Sequence, residues 1–187
     1  VLIGVDIGTQ GVKGLACAPD GTILGSAFRP SKLHRPDAAT VEEDPEFQFA
    51  SACAVIKDCM RQAKAAPGAV AGIAFDGQMA GVIGVGADGR AVTPYDSWLD
   101  TRCAPQIRAM QQAAGDEVMQ KTGCAPSFNH GPKILRWKQR FPKVYRQIRS
   151  FVQPGGYVAM RCCGLAGAEA FIDTTYLHFS GYADTSR

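Results

Sequence analysis

The chain opens with two short apolar runs separated by a polar turn. The first run extends from Val1 to Val5, and the second extends from Val12 to Cys17. Apolar runs of this length on either side of a glycine-containing turn are typical of a β-hairpin. Because both runs are apolar apart from Lys13, we expect the hairpin to lie inside a sheet with its polar tip facing outward.

The next elements follow the same logic. Pro19-Asp20-Gly21 is a strong turn signal, and the residues from Thr22 to Phe28 form a predicted third strand. Glu42-Glu43-Asp44-Pro45 predicts a helix start, since acids and proline favour the first turn. Apolar residues at helical spacing continue this helix to Ala66, and a short buried strand is predicted from Ala69 to Phe75.

The second half of the chain alternates short apolar segments with helical ones. The predicted elements are a strand at Val82–Val85, extended chain or a loop at Thr93–Asp100, a helix at Thr101–Ala114, one or two helices within Pro132–Arg149 broken near Pro142, a strand from Phe151 and a short helix at Tyr157–Arg161. Three antiparallel strands, a helix and then a strand form the start of a ribonuclease-H-like, actin-type α/β domain. We therefore predict an incomplete α/β domain of this class over residues 1–187.

Composition disfavours a membrane, secreted or nucleic-acid-binding protein. The 187 residues lack an apolar run long enough for a membrane span, and no secretory signal precedes the first strand. The seven cysteines are odd in number and form no C-x-x-C pair, which favours a reducing cytoplasm; Cys17, Cys53 and Cys59 are predicted in the core. The basic residues from Lys133 to Arg149 are predicted to form a solvated helix face rather than a nucleic-acid site.

The tip of the first hairpin is the first candidate site. It carries the carboxylate of Asp6, the hydroxyl of Thr9 and, with Gly8 and Gly11 in the turn, backbone N–H groups that glycine leaves accessible. Such groups could hold a metal-bound phosphate. The alternative is an ordinary turn, because aspartate and glycine also suit turn dihedrals.

Two further segments carry candidate binding residues. Gln78 and Met79 lie between glycines after a buried strand, where ligands bind in α/β sheets; an ordinary turn with Met79 in the core is the alternative. Trp98 lies among acids, hydroxyls and an arginine, a composition suited to a sugar face and its hydroxyls. Here the alternative is that Asp100 caps a helix and Arg102 pairs with a carboxylate.

Together these motifs resemble the N-terminal half of the FGGY carbohydrate kinases, most closely the xylulokinase group. The similar segments are Val5-Asp-Ile-Gly-Thr9, Gly77-Gln-Met-Ala-Gly81, Trp98-Leu-Asp-Thr-Arg102, Gly131-Pro-Lys-Ile-Leu-Arg-Trp137, Gln153-Pro-Gly-Gly-Tyr157 and Ala170-Phe-Ile-Asp-Thr-Thr175. Each motif is weak alone, but the six occur in order across nearly the whole chain.

The resemblance implies ATP-dependent phosphorylation of a small sugar or polyol, with a xylulose-like ketose favoured. It implies that Asp6 holds Mg²⁺ through water and that Gly8 and Thr9 lie near the transferred phosphoryl group. It assigns Gln78, Met79 and Trp98 to the sugar pocket, with Asp100 and Arg102 in its wall. It leaves a homodimer open and implies neither a nucleic-acid nor a membrane partner.

The chain departs from the family pattern in two ways. Ala80 stands where the xylulokinase-like loop usually has histidine, so the identity of the sugar is open. The family's catalytic-base aspartate and adenine site are expected beyond Arg187, so the isolated chain is expected to be inactive. The alternatives are a non-catalytic sugar-binding or regulatory module with the same fold, or another actin-like ATPase, which the loop at Gln78 and Met79 and the Trp98 segment disfavour.

Overall fold

A computed structural model describes residues 1–185 of the chain. The strands are β1 (Leu2–Ile7), β2 (Gly11–Cys17), β3 (Ile23–Pro30), β4 (Glu42–Glu43), β5 (Gly72–Gly77), β6 (Ile83–Val85), β7 (Tyr95–Asp96) and β8 (Ser150–Val152). The α-helices are α1 (Pro45–Gln62), α2 (Ala104–Thr122), α3 (His130–Arg140), α4 (Pro142–Tyr145) and α5 (Pro154–Cys163). Short 3₁₀ helices occupy Pro67–Ala69, Gly167–Glu169 and Thr174–Phe179.

The main sheet has the strand order β3-β2-β1-β5. β1 is antiparallel to β2 and parallel to β5, and β2 is antiparallel to β3. The three opening antiparallel strands predicted from the sequence are therefore confirmed. Since β1 and β5 run parallel, the carboxyl ends of these two strands lie side by side at one edge of the sheet, next to the tip of the first hairpin.

One face of the sheet forms the core. Alternate residues of β1 and β2 are buried against α1 and α5; the buried members of this cluster are Ile3, Val5, Ile7, Val12, Ala16, Ala52, Val55, Cys59 and Val158. Of the three cysteines predicted in the core, Cys59 is buried, whereas Cys17 and Cys53 are half-buried. On the opposite face of the sheet Leu2, Leu15 and Phe28 remain exposed.

The start of the first helix was predicted wrongly. Glu42 and Glu43 form β4, which pairs with β7, and helix α1 begins at Pro45 with Asp44 as its cap. The Asp44 carboxylate accepts a hydrogen bond from the Glu46 N–H at 2.9 Å. Both glutamates instead have partners that are distant in sequence, and these contacts outweigh the modest attraction of acids to a helix N-terminus.

The basic segment was also predicted wrongly in part. Lys133 has 0% of its surface exposed and Arg136 only 7%, so the inner face of α3 carries charge rather than purely apolar side chains. The reason is Asp96 of β7, which is fully buried and lies 3.6 Å from both Lys133 Nζ and an Arg136 guanidinium nitrogen. Buried charges of this kind are retained when they are paired.

Helix α2 differs from its predicted limits. It starts at Ala104 and extends to Thr122, with a non-helical residue at Ala114 (φ −157°). The predicted helix ended at Ala114, so the prediction stopped at this kink. Within residues 1–185, no helix combines the length and the hydropathy that a membrane crossing requires.

Candidate functional site

The tip of the first hairpin is closed by its own backbone. The Gly8 N–H donates to the Gly11 carbonyl at 3.1 Å, and the Gly11 N–H donates to the Gly8 carbonyl at 3.3 Å. The N–H groups of the two glycines are therefore used within the turn. The N–H groups of Thr9 and Gln10, between the two glycines, donate to no residue within 1–185, so they are the tip's available backbone donors.

Asp6 lies near the end of β1, between two other strands of the sheet. Its register partners are Lys13 on β2 and Asp76 on β5. The half-buried Asp6 carboxylate forms no hydrogen bond or ion pair with a residue in the described part of the chain. A Cβ at Gly8 would lie 3.2 Å from its Oδ2 atom, so a larger residue there would crowd the carboxylate. Asp6 is thus a carboxylate without a structural partner at the end of the strand that leads into the hairpin tip.

Gln78 connects the hairpin tip to β4. Its backbone N–H donates to the Ile7 carbonyl at 3.1 Å, which holds it beside the end of β1. Its side-chain Nε2 donates to Glu43 Oε1 at 3.2 Å, and its Oε1 accepts from the Thr9 and Tyr95 hydroxyls, each at 3.4 Å. These contacts fix the orientation of the amide. Gln78 is 6% exposed, so the wholly ordinary turn considered from the sequence does not describe this residue.

Glu43 and Tyr95 form the buried base of this arrangement. Glu43 is 3% exposed, and burial raises the pKa of its carboxyl, an effect that the hydrogen bond from Gln78 opposes. Burial also raises the pKa of Tyr95, so its hydroxyl remains a donor. A Cβ at Gly81 would lie 2.3 Å from the Tyr95 ring, which explains why glycine is needed where the loop passes this side chain.

Trp98 completes the cluster from the other side of the hairpin tip. Its indole Nε1 donates to Thr9 Oγ1 at 3.1 Å. The Trp98 side chain remains 46% exposed, and Met79, which follows Gln78, is 44% exposed. The predicted core position of Met79 in the alternative interpretation is therefore wrong. The structure brings together Thr9, Gln78 and Trp98 from three separate motifs and leaves an aromatic surface open to solvent beside them.

Asp100 and Arg102 are occupied by the protein itself. The fully buried Asp100 carboxylate accepts from the Val41 N–H at 2.8 Å and from the Arg102 Nε at 2.8 Å. Arg102 also contacts Glu42 Oε1 at 2.5 Å. The alternative in which Arg102 pairs with a carboxylate is confirmed, whereas Asp100 does not cap α2, whose first residue is Ala104. These two residues fix the segment that follows Trp98.

A buried ionic cluster supports the same segment. Lys133 Nζ donates to the Asp100 carbonyl at 2.9 Å and lies 3.6 Å from Asp96. Arg102 and Arg136 each approach Asp96 to 3.6 Å as well. Burial raises the pKa of Asp96, and the nearby Lys133 ammonium opposes that rise. A single carboxylate therefore faces three cations beneath the Trp98 segment.

His130 is a residue of this region that the sequence did not identify. It is 1% exposed, and its Nε2 lies 2.6 Å from the Met79 carbonyl oxygen, to which the neutral ring can donate. Burial lowers the pKa of His130 to about 4, and the His178 and Lys133 charges act in the same direction. His130 thereby anchors the loop that presents Met79. Only the fold connects the two residues, which are 51 positions apart.

The described residues limit how a metal could be held. Among residues 1–185, no group of three or more histidine, cysteine, aspartate and glutamate side chains is placed to bind a metal ion. A cation bound at Asp6 would therefore complete its coordination mainly with water and ligand oxygens, a coordination typical of Mg²⁺ in phosphate sites.

Solved structures share this fold. Xylulose kinase from Rhodospirillum rubrum superimposes with a TM-score of 0.87 at 23% identity, covering 98% of this chain and 38% of that one. Glycerol kinase from Plasmodium falciparum, solved with ADP, gives 0.86 at 17% identity, covering 98% and 38%. Gluconate kinase from Lactobacillus acidophilus gives 0.83 at 25% identity, covering 96% and 36%. The predicted actin-type α/β fold is confirmed.

Sequence comparison adds the family. Xylulose kinase from Escherichia coli K12 is 30% identical over 164 residues, covering 87% of this chain and 33% of the relative. Xylulose kinase from Staphylococcus epidermidis RP62A is 28% identical over 158 residues, covering 84% and 32%. The chain thus spans about a third of the length of these relatives. Because the profile of the FGGY family of carbohydrate kinases, N-terminal domain, matches residues 1–186, this chain belongs to that family.

Proposed function

We propose that this chain forms the sugar-binding half of an ATP-dependent kinase that phosphorylates a small sugar or polyol, with a xylulose-like ketose favoured. In this proposal residues 1–187 form one domain, and the catalytic base and the adenine site are supplied by further chain. The observation that carries it is the hydrogen-bonded cluster of Thr9, Gln78 and Trp98 on the hairpin tip that follows the unpaired Asp6 carboxylate. A carboxylate and an ordered polar and aromatic cluster on the same hairpin would suit phosphoryl transfer to a bound hydroxyl.

The sugar would bind on the exposed indole of Trp98. The Nε1 hydrogen bond to Thr9 fixes the orientation of the indole while leaving nearly half of its side chain open. An aromatic face of this kind packs against the C–H face of a sugar. Met79 would contribute a second exposed apolar surface, and Gln78 would orient hydroxyls with its remaining amide hydrogen. Asp100 and Arg102 would position this wall rather than contact the sugar.

Asp6, Gly8 and Thr9 would lie beside the phosphoryl group while it passes from ATP to the sugar hydroxyl. ATP would supply that group, and Mg²⁺ would neutralise its charge when both are bound. The residues present fit this role because the Asp6 carboxylate has no partner within the described chain and because the tip retains the N–H groups of Thr9 and Gln10 as anion donors. Gly8 would keep the approach to Asp6 open, since a Cβ there would lie 3.2 Å from the carboxylate.

A fluorescence titration tests the sugar site directly. The chain has two tryptophans, exposed Trp98 and 7% exposed Trp137, so a Trp137→Phe variant reports on Trp98 alone. We expect a saturable change in its emission with one member of a panel of D-xylulose, gluconate and glycerol. The matched Trp98→Phe variant should give no change with the same compound. An unresponsive Trp98 across the panel, or an equal response from Trp137, would contradict the proposed site.

A further inference from the structure

A cavity lies away from the hairpin tip, between the start of α2 and the end of α3. Its volume is about 370 Å³, and it is lined by Arg102, Pro105, Gln106, Arg136, Arg140 and Phe141. Three of these six residues carry a guanidinium group, and none carries a carboxylate. Thr9, Gln78 and Trp98 are not among them, so this cavity is separate from the candidate sugar site.

The guanidinium groups of the cavity are not fully neutralised. Arg136, 7% exposed, donates no hydrogen bond to a residue within 1–185, and its Nη1 is buried without a hydrogen-bond partner. Its nearest carboxylate is Asp96 at 3.6 Å, which Lys133 and Arg102 also face. Arg140, one turn further along α3, has neither an ion pair nor a hydrogen bond in the described chain. Arg140 therefore brings a cation without a carboxylate partner in the described chain to the cavity, beside Arg136, which shares Asp96 with two other cations.

A neutral acceptor lies beside these cations. Gln106 is 7% exposed, and its Oε1 is buried without a donor. Its Nε2 already donates to Gln139 Oε1 at 3.0 Å, which fixes the amide. A buried carbonyl oxygen without a donor is costly unless a ligand or water supplies the hydrogen. The cavity thus offers the guanidinium groups of Arg136 and Arg140 and one hydrogen-bond acceptor, together with the apolar surfaces of Pro105 and Phe141.

We propose that this cavity binds a phosphate monoester of a small hydroxylated molecule. Arg136 and Arg140, four residues apart on one face of α3, would hold the phosphate dianion through paired N–H donors, the geometry that favours arginine over lysine. A hydroxyl of the ligand would donate to Gln106 Oε1, and its carbon skeleton would contact Phe141. Arg102, already paired with Asp100 and Glu42, would add positive potential without leaving its partners.

Isothermal titration calorimetry tests the proposal with glycerol 3-phosphate, inorganic phosphate and glycerol as probes. We expect saturable one-to-one binding of glycerol 3-phosphate, at least about tenfold weaker binding of inorganic phosphate, and no glycerol binding that Arg140→Ala alters, since a hydrogen bond to a buried group contributes about this factor. Equal affinity for the two phosphates would contradict the monoester assignment. No binding of glycerol 3-phosphate would contradict the site itself.

Two variants place the ligand in the cavity. Arg140→Ala removes an exposed side chain without a partner, so the fold should survive, and affinity should fall about tenfold. Arg136→Lys retains the positive charge but loses the paired N–H donors of the guanidinium group, so it should also weaken binding. Arg108→Ala, which removes an arginine of α2 that is also exposed but lies outside the cavity, is the matched control and should bind like the wild type. An equal loss in Arg108→Ala would show unspecific attraction and would overturn the proposal.

A third variant separates this site from the proposed kinase site. Asp6→Asn alters the hairpin tip but not the cavity, so its affinity for glycerol 3-phosphate should equal that of the wild type. If Asp6→Asn alters the affinity while Arg140→Ala does not, the phosphate lies at the hairpin tip and the cavity proposal is wrong. The proposed kinase function would remain unaffected by that result.

Discussion

Trp98 Nε1 donates a hydrogen bond to Thr9 Oγ1 at 3.1 Å, joining two residues that are 89 positions apart in the sequence. Thr9 in turn donates to Gln78 Oε1 at 3.4 Å. A hydroxyl at position 9 therefore acts as both acceptor and donor between two segments of the candidate sugar site. The orientation of the exposed indole depends on this one side chain, because the indole has a single N–H donor.

Replacing the Thr9 hydroxyl should weaken sugar binding more than it weakens folding. Thr9→Val keeps the shape of the side chain but removes both hydrogen bonds, at a cost of about 1 kcal/mol to stability. We expect the KM for the sugar to rise severalfold while the KM for ATP changes little, measured in the longer kinase that we propose contains this domain. Thr9→Ser retains the hydroxyl and is the control. Equal sugar KM values for the valine and serine variants would mean that the bridge does not orient the site.

Because His130 is buried, we expect the free energy of unfolding to fall as the pH is lowered. The ordinary His130 pKa of 6.5 falls to about 4 in the folded chain, chiefly through burial. As the pH falls below 6.5 the unfolded state takes up the proton first, so the stability that neutral His130 contributes is lost between pH 6.5 and about 4. Lowering the pH from 7.5 to 4.5 should cost the wild type roughly 2–3 kcal/mol more than a His130→Gln variant.

Urea unfolding at the two pH values measures this difference. Glutamine at position 130 can still donate to the Met79 carbonyl but does not titrate, so the comparison isolates the histidine from the carboxyl groups of the protein. His34→Gln alters an exposed histidine and should behave as the wild type does. If His130→Gln loses as much stability on acidification as the wild type, the ring is not held neutral by burial.

Lys133 provides a test of the buried ionic cluster. Lys133→Met fills a similar volume but removes the ammonium group that lies 3.6 Å from Asp96 and donates to the Asp100 carbonyl. We expect the free energy of unfolding to fall by about 3–5 kcal/mol, since a buried carboxylate loses one of its compensating charges. Lys138→Met, on an exposed position of the same helix, should change it by less than about 0.5 kcal/mol.

Combining Lys133→Met with Asp96→Asn removes both members of the pair. The double variant should be more stable than the sum of the two single changes predicts, because neither charge is then left alone. Strict additivity of the two single effects in chemical unfolding would show that Lys133 and Asp96 are not coupled.

Sequence analysis selected the candidate site residues that lie in short local motifs. Asp6 and Thr9 belong to one hairpin, and Gln78 and Trp98 follow strands, so local patterns were sufficient to select them. Their connection depends on the parallel pairing of β1 with β5, which the sequence analysis did not predict. The exposure of Met79 could not be read from its apolar character alone.

Residues that act through distant partners were missed or assigned wrongly. His130 anchors the Met79 carbonyl from another helix, and Glu43 receives the Gln78 amide from a two-residue strand, contacts that no local pattern encodes. Lys133 was assigned to solvent because a basic helix normally presents such residues outward. The buried Asp96 reverses that preference, and its burial is a property of the assembled fold.

The most direct test of the account is the turnover of the longer kinase with Asp6→Asn. Asparagine keeps the shape of the side chain but loses the charge proposed to hold Mg²⁺. Since the Asp6 carboxylate has no partner within residues 1–185, the melting temperature should barely change. Sugar-dependent ADP release from ATP should fall at least about a hundredfold, on the order of 3 kcal/mol of transition-state stabilisation. Asp20→Asn, in the exposed turn after β2, is the control and should leave the rate of ADP release unchanged. Near-normal ADP release by Asp6→Asn would contradict the assignment of the hairpin tip to phosphoryl transfer.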